Sequence, residues 1–533
     1  MDIGSNMRFG LFFIFIMVAL WMVAFPISCL SDTQDQQLTV PSKKIFSMEN
    51  ATNKAREMAK RPFQNPFGRI PNFLLELNYD QWRDIRFKPE NSLWRLEKLP
   101  FEVQFFHPGF YYNIPVIINT ISASKLEIVP FSSNFFDYGA NDFKSQLPDN
   151  LEFAGFRIHH HINTKTYKDE VVVFLGASYF RAVAKGQVYG LSARGIAIDT
   201  GLSSGEEFPF FKEFWIVKPG PHDINITLYA LLDSPSLTGA YCYRITPGRE
   251  TTMDVSCTLF LRKEVKKIGI APLTSMFFYG ENTNIRPRDD FRPEVHDSDG
   301  LQLAFKSGEF LWRPLLNPKT LWINSLRADN ILGFGLIQRD LNFDHYQDSE
   351  THYESRPSVW ITPKSYWGKG NVELIQIPTE SDIHDNIVAM WVPERVIPAE
   401  ETLSFDYTMK WHFPNQAPPP RGRVMATRTA TTDDQNTRMF LIDFAGAELE
   451  TIGADEGVEG VITVPSGCRL LEQHVIRNNA TGQWRLVFKI QADESESLVE
   501  RVLPERRQVF ELRAFLRRGE NVLTETWSYG DRL

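Results

Sequence analysis

The chain has 533 residues, 43% apolar and 23% charged, which is more than one hydrophobic core usually serves and enough for two or three folded domains. Its 57 basic and 66 acidic residues give a net charge of −9, and no long basic block is present. That balance argues against nucleic acid or an acidic lipid surface as the main partner and points to a neutral or small one.

In chain order, the first feature is Arg8 followed by "FGLFFIFIMVALWMVAF" and then "PISCLSD". A positive start, an apolar run and a small-residue stretch predict a cleavable export signal over residues 1–31, with Met7 as an alternative start. An uncleaved membrane anchor is the competing reading, since the run is borderline for spanning a bilayer. A lipoprotein signal at Cys29 fits less well, because proline stands where an aliphatic residue is expected. "FSMENATNKAREMAKRPF" then reads as a short helix with Ser47 at its N-cap and proline at its end.

Almost everything beyond that helix reads as strand. "EVVVFLGASYFRAVA", "NITLYALLDSPSLTGAYCYRITP" and "RQVFELRAFLRRGENVLTETWSYG" are β-branched and aromatic runs broken by turn residues, so the expected class is all-β with stacked sheets. In "RIHHHIN", His159 and His161 share one strand face, but no carboxylate or cysteine accompanies them at ligand spacing, and no metal is expected. Asn50, Asn225 and Asn479 match the glycosylation tripeptide by chance. Cys242 and Cys257 flank a Pro247-Gly248 turn, so a hairpin would place them on neighbouring strands. A disulfide in an oxidising compartment and two reduced, core-packed thiols both fit. Pro393 and Pro398 bracket a polar stretch that marks a boundary: an N-terminal β-sandwich over 40–394, a linker over 395–402 and an immunoglobulin-sized part over 403–533.

Aromatic residues make up 13% of the chain. Phenylalanine serves a sheet core first, whereas tyrosine or tryptophan among polar residues can also stack on a sugar face. "GQVYGLSARG" (Tyr189, Arg194), "GEEFPFFKEFW" (Trp215), "EFLWRPL" (Trp312, Arg313) and "THYESRPSVW" (Tyr353, Arg356) have that mixed character, and each reads equally as cleft wall or core. Two acidic stretches stand out: "FRPEVHDSDG", with Asp297 beside His296, and "TESDIHDNIVAMW", with Asp385 before an apolar run. Either is a solvated turn or the seat of a carboxylate acid or base.

Several long runs, among them "GASYFRAVAKGQVYGLSARGIAIDTGLSSGEEFPFFKEFWI", "FRPEVHDSDGL", "RPSVWITPKSYWGKGNVELIQIPT" and "DNIVAMW", resemble the periplasmic glucan biosynthesis protein family (MdoG/OpgG and MdoD/OpgD) from about residue 60 onward. No twin-arginine signal is present, which brings the chain closer to the G-type. The resemblance implies a periplasmic protein with a galactose mutarotase-like N-terminal β-sandwich joined to an immunoglobulin-like C-terminal domain. It implies action on β-1,2-glucan without a cofactor, as an inverting endo-glucanase or a transglycosylase. The alternative is a non-catalytic glucan-binding protein that assists the inner-membrane glucosyltransferase. By position in the matching motifs, Asp385 is the implied general acid, Asp297 the general base and Tyr353 a relay. Tyr189, Arg194, Trp215, His296, Trp312, Arg313 and Arg356 are the candidate substrate contacts. Direct inversion needs carboxyl groups about 6.5–9.5 Å apart, and a relay relaxes that limit.

Overall fold

Hairpins between chain neighbours build much of this protein. The computed structural model describes residues 46–123, 125–284, 286–414, 421–432, 437–492 and 509–532, and the export-signal reading and Cys29 lie outside them. Leu237–Thr246 and Thr251–Leu261 pair antiparallel across the Pro247-Gly248 turn. From Thr251 to Leu259 every second residue is buried, the pattern of a strand with one face in a core. The protein is all-β, as the sequence predicts.

That hairpin also corrects the disulfide expectation. Cys257 stands opposite Tyr241, and Cys242 opposite Ser256. Successive strand residues face opposite sides, so the one-residue offset turns the two thiols to opposite faces of the sheet. Both are free. Burial pushes the Cys242 thiol up to about 11 and the Cys257 thiol up to about 12, so both remain protonated at neutral pH.

Among the described residues, a ten-stranded and a fifteen-stranded sheet face one another. Phe156 and Phe174 of the first meet Phe214 and Tyr243 of the second, with ring centroids 4.9 and 5.4 Å apart. The expected helix forms at Met48–Ala59, where Asn50 Oδ1 accepts from Ser47 N at 2.8 Å. Its buried Ala51 and Ala55 cover the outer face of the larger sheet, against Trp215, Leu231, Ala240 and Phe260.

At its far end the fifteen-stranded sheet serves two cores. In Gly300–Ala304, Phe310–Pro314, Gly333–Ile337 and Ser358–Pro363, one face supplies Leu301, Leu303, Leu311, Phe334, Leu336, Val359 and Ile361 to the main core. The other face gives Ala304, Trp312, Ile337 and Trp360 to a second core. A four-stranded sheet, Arg423–Thr431, Thr437–Ala445, Trp484–Ala492 and Cys468–Arg477, closes that core. There Phe440 and Phe488 pack on Trp527 at 5.7 and 6.0 Å. The strand Thr402–His412, which the sequence places at the head of the C-terminal part, runs between Thr251–Leu261 and Ser358–Pro363. Leu403, Phe405, Tyr407, Met409 and Trp411 alternate along it into the main core, and this apolar face holds it in the larger sheet. Residues Ile45–Leu533 form one compact unit.

Candidate active site

The stretch from Arg292 to Gly300 is fastened before any chemistry is asked of it. Val295–His296 pairs with Phe277–Tyr279, Asp297 N donates to Met276 O at 2.8 Å, and Ser275 and Ser298 share a hydrogen bond at 2.8 Å between their hydroxyls. His296 is 0% exposed and stacks on Phe277. Its Nδ1 lies 3.0 Å from Gln338 Oε1 and its Nε2 3.1 Å from Glu294 Oε2. Burial works against a charged ring, but Asp299, Glu294 and Glu281 together outweigh it and lift the pKa to about 10. The imidazolium therefore donates from both nitrogens. His296 has no free surface for a sugar, so its expected substrate contact is corrected to a bracing role.

Asp297 is also buried, and Arg356 Nη1 donates to its Oδ1. Burial raises its pKa above the ordinary carboxylate value. Arg356 opposes that rise, and the charge of Asp385 adds to it. The two predicted carboxylates therefore lie within electrostatic reach of one another.

Tyr353 is presented by the turn Tyr353–Ser355, entered through His352 at φ 49°, a conformation that side-chain-bearing residues adopt at a cost. Gln338 holds this turn to the Asp297 segment: its Nε2 serves Tyr353 O and His296 O, each at 3.1 Å, and the Tyr346 hydroxyl at 2.9 Å. The guanidinium of Arg356 lies over the Tyr353 ring at 4.4 Å. Val188 N donates to Ser355 O at 3.1 Å, and a Cβ at Gly190 would stand 3.0 Å from the Arg356 stem, so glycine is what lets that stem pass. The stretches holding Tyr189 and Arg356 thus meet. Tyr189 itself is half-buried and packs against the main core.

Asp385 sits in a loop tied at both ends. Ile377 N donates to Asn386 O at 2.8 Å. The buried Asn386 side chain accepts from Phe277 N at 2.8 Å and donates to Phe277 O and Ile377 O, each at 3.0 Å. Farther along, Thr379 exchanges hydrogen bonds with Asn317 at 2.8 and 3.0 Å. Asp385 keeps 31% of its side chain exposed, with Arg181 Nη2 at 3.6 Å. Tyr179, on the same strand face as Arg181, also feels the Asp385 charge. Arg194 lies over Tyr179 at 4.8 Å and is bound to Thr274 and Glu206, so it adjoins the site through that ring.

Beside these residues runs a groove of about 740 Å³, lined among others by Phe291, Arg292, Asp348, Glu350 and Asp382. Phe291 is 80% exposed at its rim. Arg292 ties three acidic segments together, donating to Asp290 at 2.7 and 2.9 Å, to Asp348 at 3.0 Å and to Asp382 at 2.9 Å. The guanidinium holds the Asp290 carboxyl down at about 2. At Asp348 burial pushes the other way, but the amides of Thr351 and Glu350 and Arg292 outweigh it, again to about 2.

Three expected contacts lie elsewhere. Trp215 is 1% exposed beneath the N-terminal helix, stacked on Phe46 at 4.7 Å; its neighbour Phe214 takes the inward face of the strand, which sends Trp215 outward. Trp312 is buried in the second core under Arg339, 3.5 Å from the ring centre. Arg313, 1% exposed, is committed to Glu511 and to Ser528 Oγ at 3.1 Å. Trp312 lies against Gly300, three residues past Asp297, from the side of the second core. Sequence reasoning missed Arg181, Tyr179, Asp382, Gln338 and Asn386. Tyr179 and Arg181 were findable, as two polar groups two residues apart in an apolar strand.

Among the described residues, Glu294, Asp340 and His345 bring one ligand atom each within 4.8 Å of one another. His345 is already hydrogen-bonded to Asp340, and Glu294 to His296, so each of the three has a partner. His159 and His161 hydrogen-bond to Lys168 O and Tyr167 O, at 3.4 and 2.7 Å.

Residues 46–530 match the family model described as periplasmic glucan biosynthesis protein, MdoG. The chain is 45% identical over 493 residues to glucans biosynthesis protein G of Ralstonia nicotianae, covering 91% of this chain and 95% of that protein. A solved Paenibacillus xanthan lyase is similar at 9% identity over 75% of this chain and 36% of its own, with a TM-score of 0.15.

Proposed function

The chain belongs to the MdoG family of periplasmic glucan biosynthesis proteins, and from that premise we propose that it cleaves or transfers β-1,2-glucan with inversion at the Asp297, Tyr353 and Asp385 neighbourhood. The carrying observation is that one arginine, Arg356, holds the buried Asp297 and lies over the Tyr353 ring. Inversion needs a carboxylic acid to protonate the departing glycosidic oxygen and a carboxylate to remove a proton from the attacking water or sugar hydroxyl. In this reading Asp385, on the open loop, is the acid. Asp297 is the base: a buried carboxylate whose pKa lies above the usual range holds a proton more readily once it has taken one. Tyr353 is the relay that carries the proton to it.

The division of the chain is part of this reading: the N-terminal sandwich carries the site, and the C-terminal immunoglobulin-like part braces it through the shared strands. Residues 1–31 direct export, and the inner-membrane glucosyltransferase supplies the nascent glucan. The test is incubation of purified protein with linear β-1,2-glucan followed by chromatography. Shorter chains or transferred products are expected. Binding without any change in chain length would put a non-catalytic glucan-binding protein in this enzyme's place.

A further inference from the structure

Arg181, beside Asp385, belongs to a row that crosses the ten-stranded sheet. It pairs opposite Val173, and Val173 opposite Arg157. Phe156, Phe174 and Phe180, their neighbours in the same strands, turn into the main core, so the row faces outward. Arg157 is therefore on the face that carries Arg181, two strands and about 10 Å away. One strand farther the sheet ends, where Arg157 meets Gln104 of Glu102–Phe106. At this edge opens a cavity of about 670 Å³, lined among others by Trp82, Arg83, Arg86, Lys88, Phe106 and Arg157.

We propose that this cavity binds a hexose unit carrying an anionic group, a phosphate or a carboxylate. Four cations line it against two carboxylates, Glu90 and Asp137, in a chain whose net charge is −9. Arg157 Nη1 is committed to Glu170 at 2.7 Å, and Asp137 Oδ1 accepts from Gly139 N at 3.1 Å. Among the described residues no carboxylate forms an ion pair with Arg83, Arg86 or Lys88. Arg83 and Arg86 are exposed and Lys88 half-buried, so all three are open to a ligand. Lysine and arginine only donate, and such a wall selects a ligand rich in acceptors and negative charge. The sugar half is read from Trp82. Its Nε1 donates to His107 O at 3.0 Å and its ring rests on Tyr112 at 4.7 Å. That leaves a fixed, half-buried indole to take the apolar face of a hexose. The ligand class follows from these side chains and does not depend on whether glucan is cut at Asp385.

The experiment is calorimetric titration of the purified protein with glucose 6-phosphate, glucuronate, glucose and inorganic phosphate at low ionic strength. Glucose 6-phosphate, glucuronate or both are expected to bind at least ~10-fold more tightly than glucose or phosphate, the worth of one charge-assisted contact. Whichever of the two binds identifies the anionic group, and added salt should weaken that binding. The double variant Arg83→Gln/Lys88→Gln keeps chain length and removes charge at two open positions. It should lose affinity by ~10-fold or more with its melting temperature unchanged. Arg86→Gln alone should shift affinity in the same direction. Asp385→Asn should bind as wild type does, which separates this cavity from the cleavage site. Binding no tighter than that of glucose or phosphate, no binding up to ~10 mM, or an affinity unmoved in the charge variants overturns the inference. A loss of binding in Asp385→Asn would place the ligand at the cleavage site and overturn it as well.

Discussion

Two arginine-rich neighbourhoods use the same residue types to opposite ends. Around the second core, Arg339 and Glu525 are 5% and 0% exposed. Glu525 also accepts from Val424 N at 2.8 Å and from Gln302 Nε2 at 3.1 Å, and the Arg339 guanidinium covers Trp312. Each charge there has one opposite and no way out. Around Asp297 the balance is uneven: Arg292 serves three carboxylates, Asp297 is held by Arg356, and Asp385 opens toward solvent beside Arg181. Matched, closed charges hold a fold together. Carboxylates in excess of their cations, at the edge of a groove, are available for proton transfer.

The largest effect that would sharpen this contrast is on rate. Asp385→Asn and Asp297→Asn should each slow glucan cleavage by ~10²- to 10⁴-fold. Glucan affinity by calorimetry should stay near wild type, and so should the melting temperature of Asp385→Asn, whose side chain is partly open to solvent. Wild-type rates in both variants would erase the distinction between the two neighbourhoods.

At the closed site the loss should be in stability. Glu525→Ala leaves Arg339 buried without its partner, at a cost of about 3–5 kcal/mol in denaturant unfolding. A stable Glu525→Ala protein with lost turnover would reverse the roles assigned to the two regions.

How much of this was legible in the sequence follows from the same contrast. The β class, the first helix and the hairpin at Pro247-Gly248 were readable because they rest on local alternation and turn chemistry. Motif picks out Asp297, Tyr353 and Asp385, but what joins the Asp297 and Tyr353 segments is Gln338 and what ties the Asp385 loop to Phe277 is Asn386, contacts that no local pattern announces. Trp312 and Arg313 looked like a sugar platform because tryptophan beside arginine is the same pair of letters in a cleft and in a core. What separates them is a second sheet lying over that strand, contributed by residues more than a hundred positions later. The cysteines failed on register: a turn predicts neighbouring strands, but one residue of offset decides which face a thiol takes.

A smaller effect concerns pH. His296 is lifted from an ordinary value of 6.5 to about 10 in the fold. Above pH 6.5 the unfolded chain has released that proton while the native protein keeps it, so stability falls as pH rises. This contribution is fully present below 6.5 and lost by about pH 10. Melting temperatures should decline across that window, and more shallowly in His296→Gln; an unchanged slope would contradict the charged ring. Smallest of all, Trp215→Phe should cost about 1 kcal/mol of stability through the Phe46 stack and leave cleavage within about twofold of wild type. A large loss of cleavage would return Trp215 to the glucan site.

The most direct measurement of the central claim is the stereochemistry of the first product. Purified protein is mixed with linear β-1,2-glucan, and the new anomeric centre is followed by proton NMR before mutarotation sets in. If Asp385 and Asp297 act as acid and base across the sugar, that centre, free or transferred, appears first in the α configuration, and it fails to appear in Asp385→Asn. A β product appearing first, or the same product at the same rate from Asp385→Asn, would contradict the account.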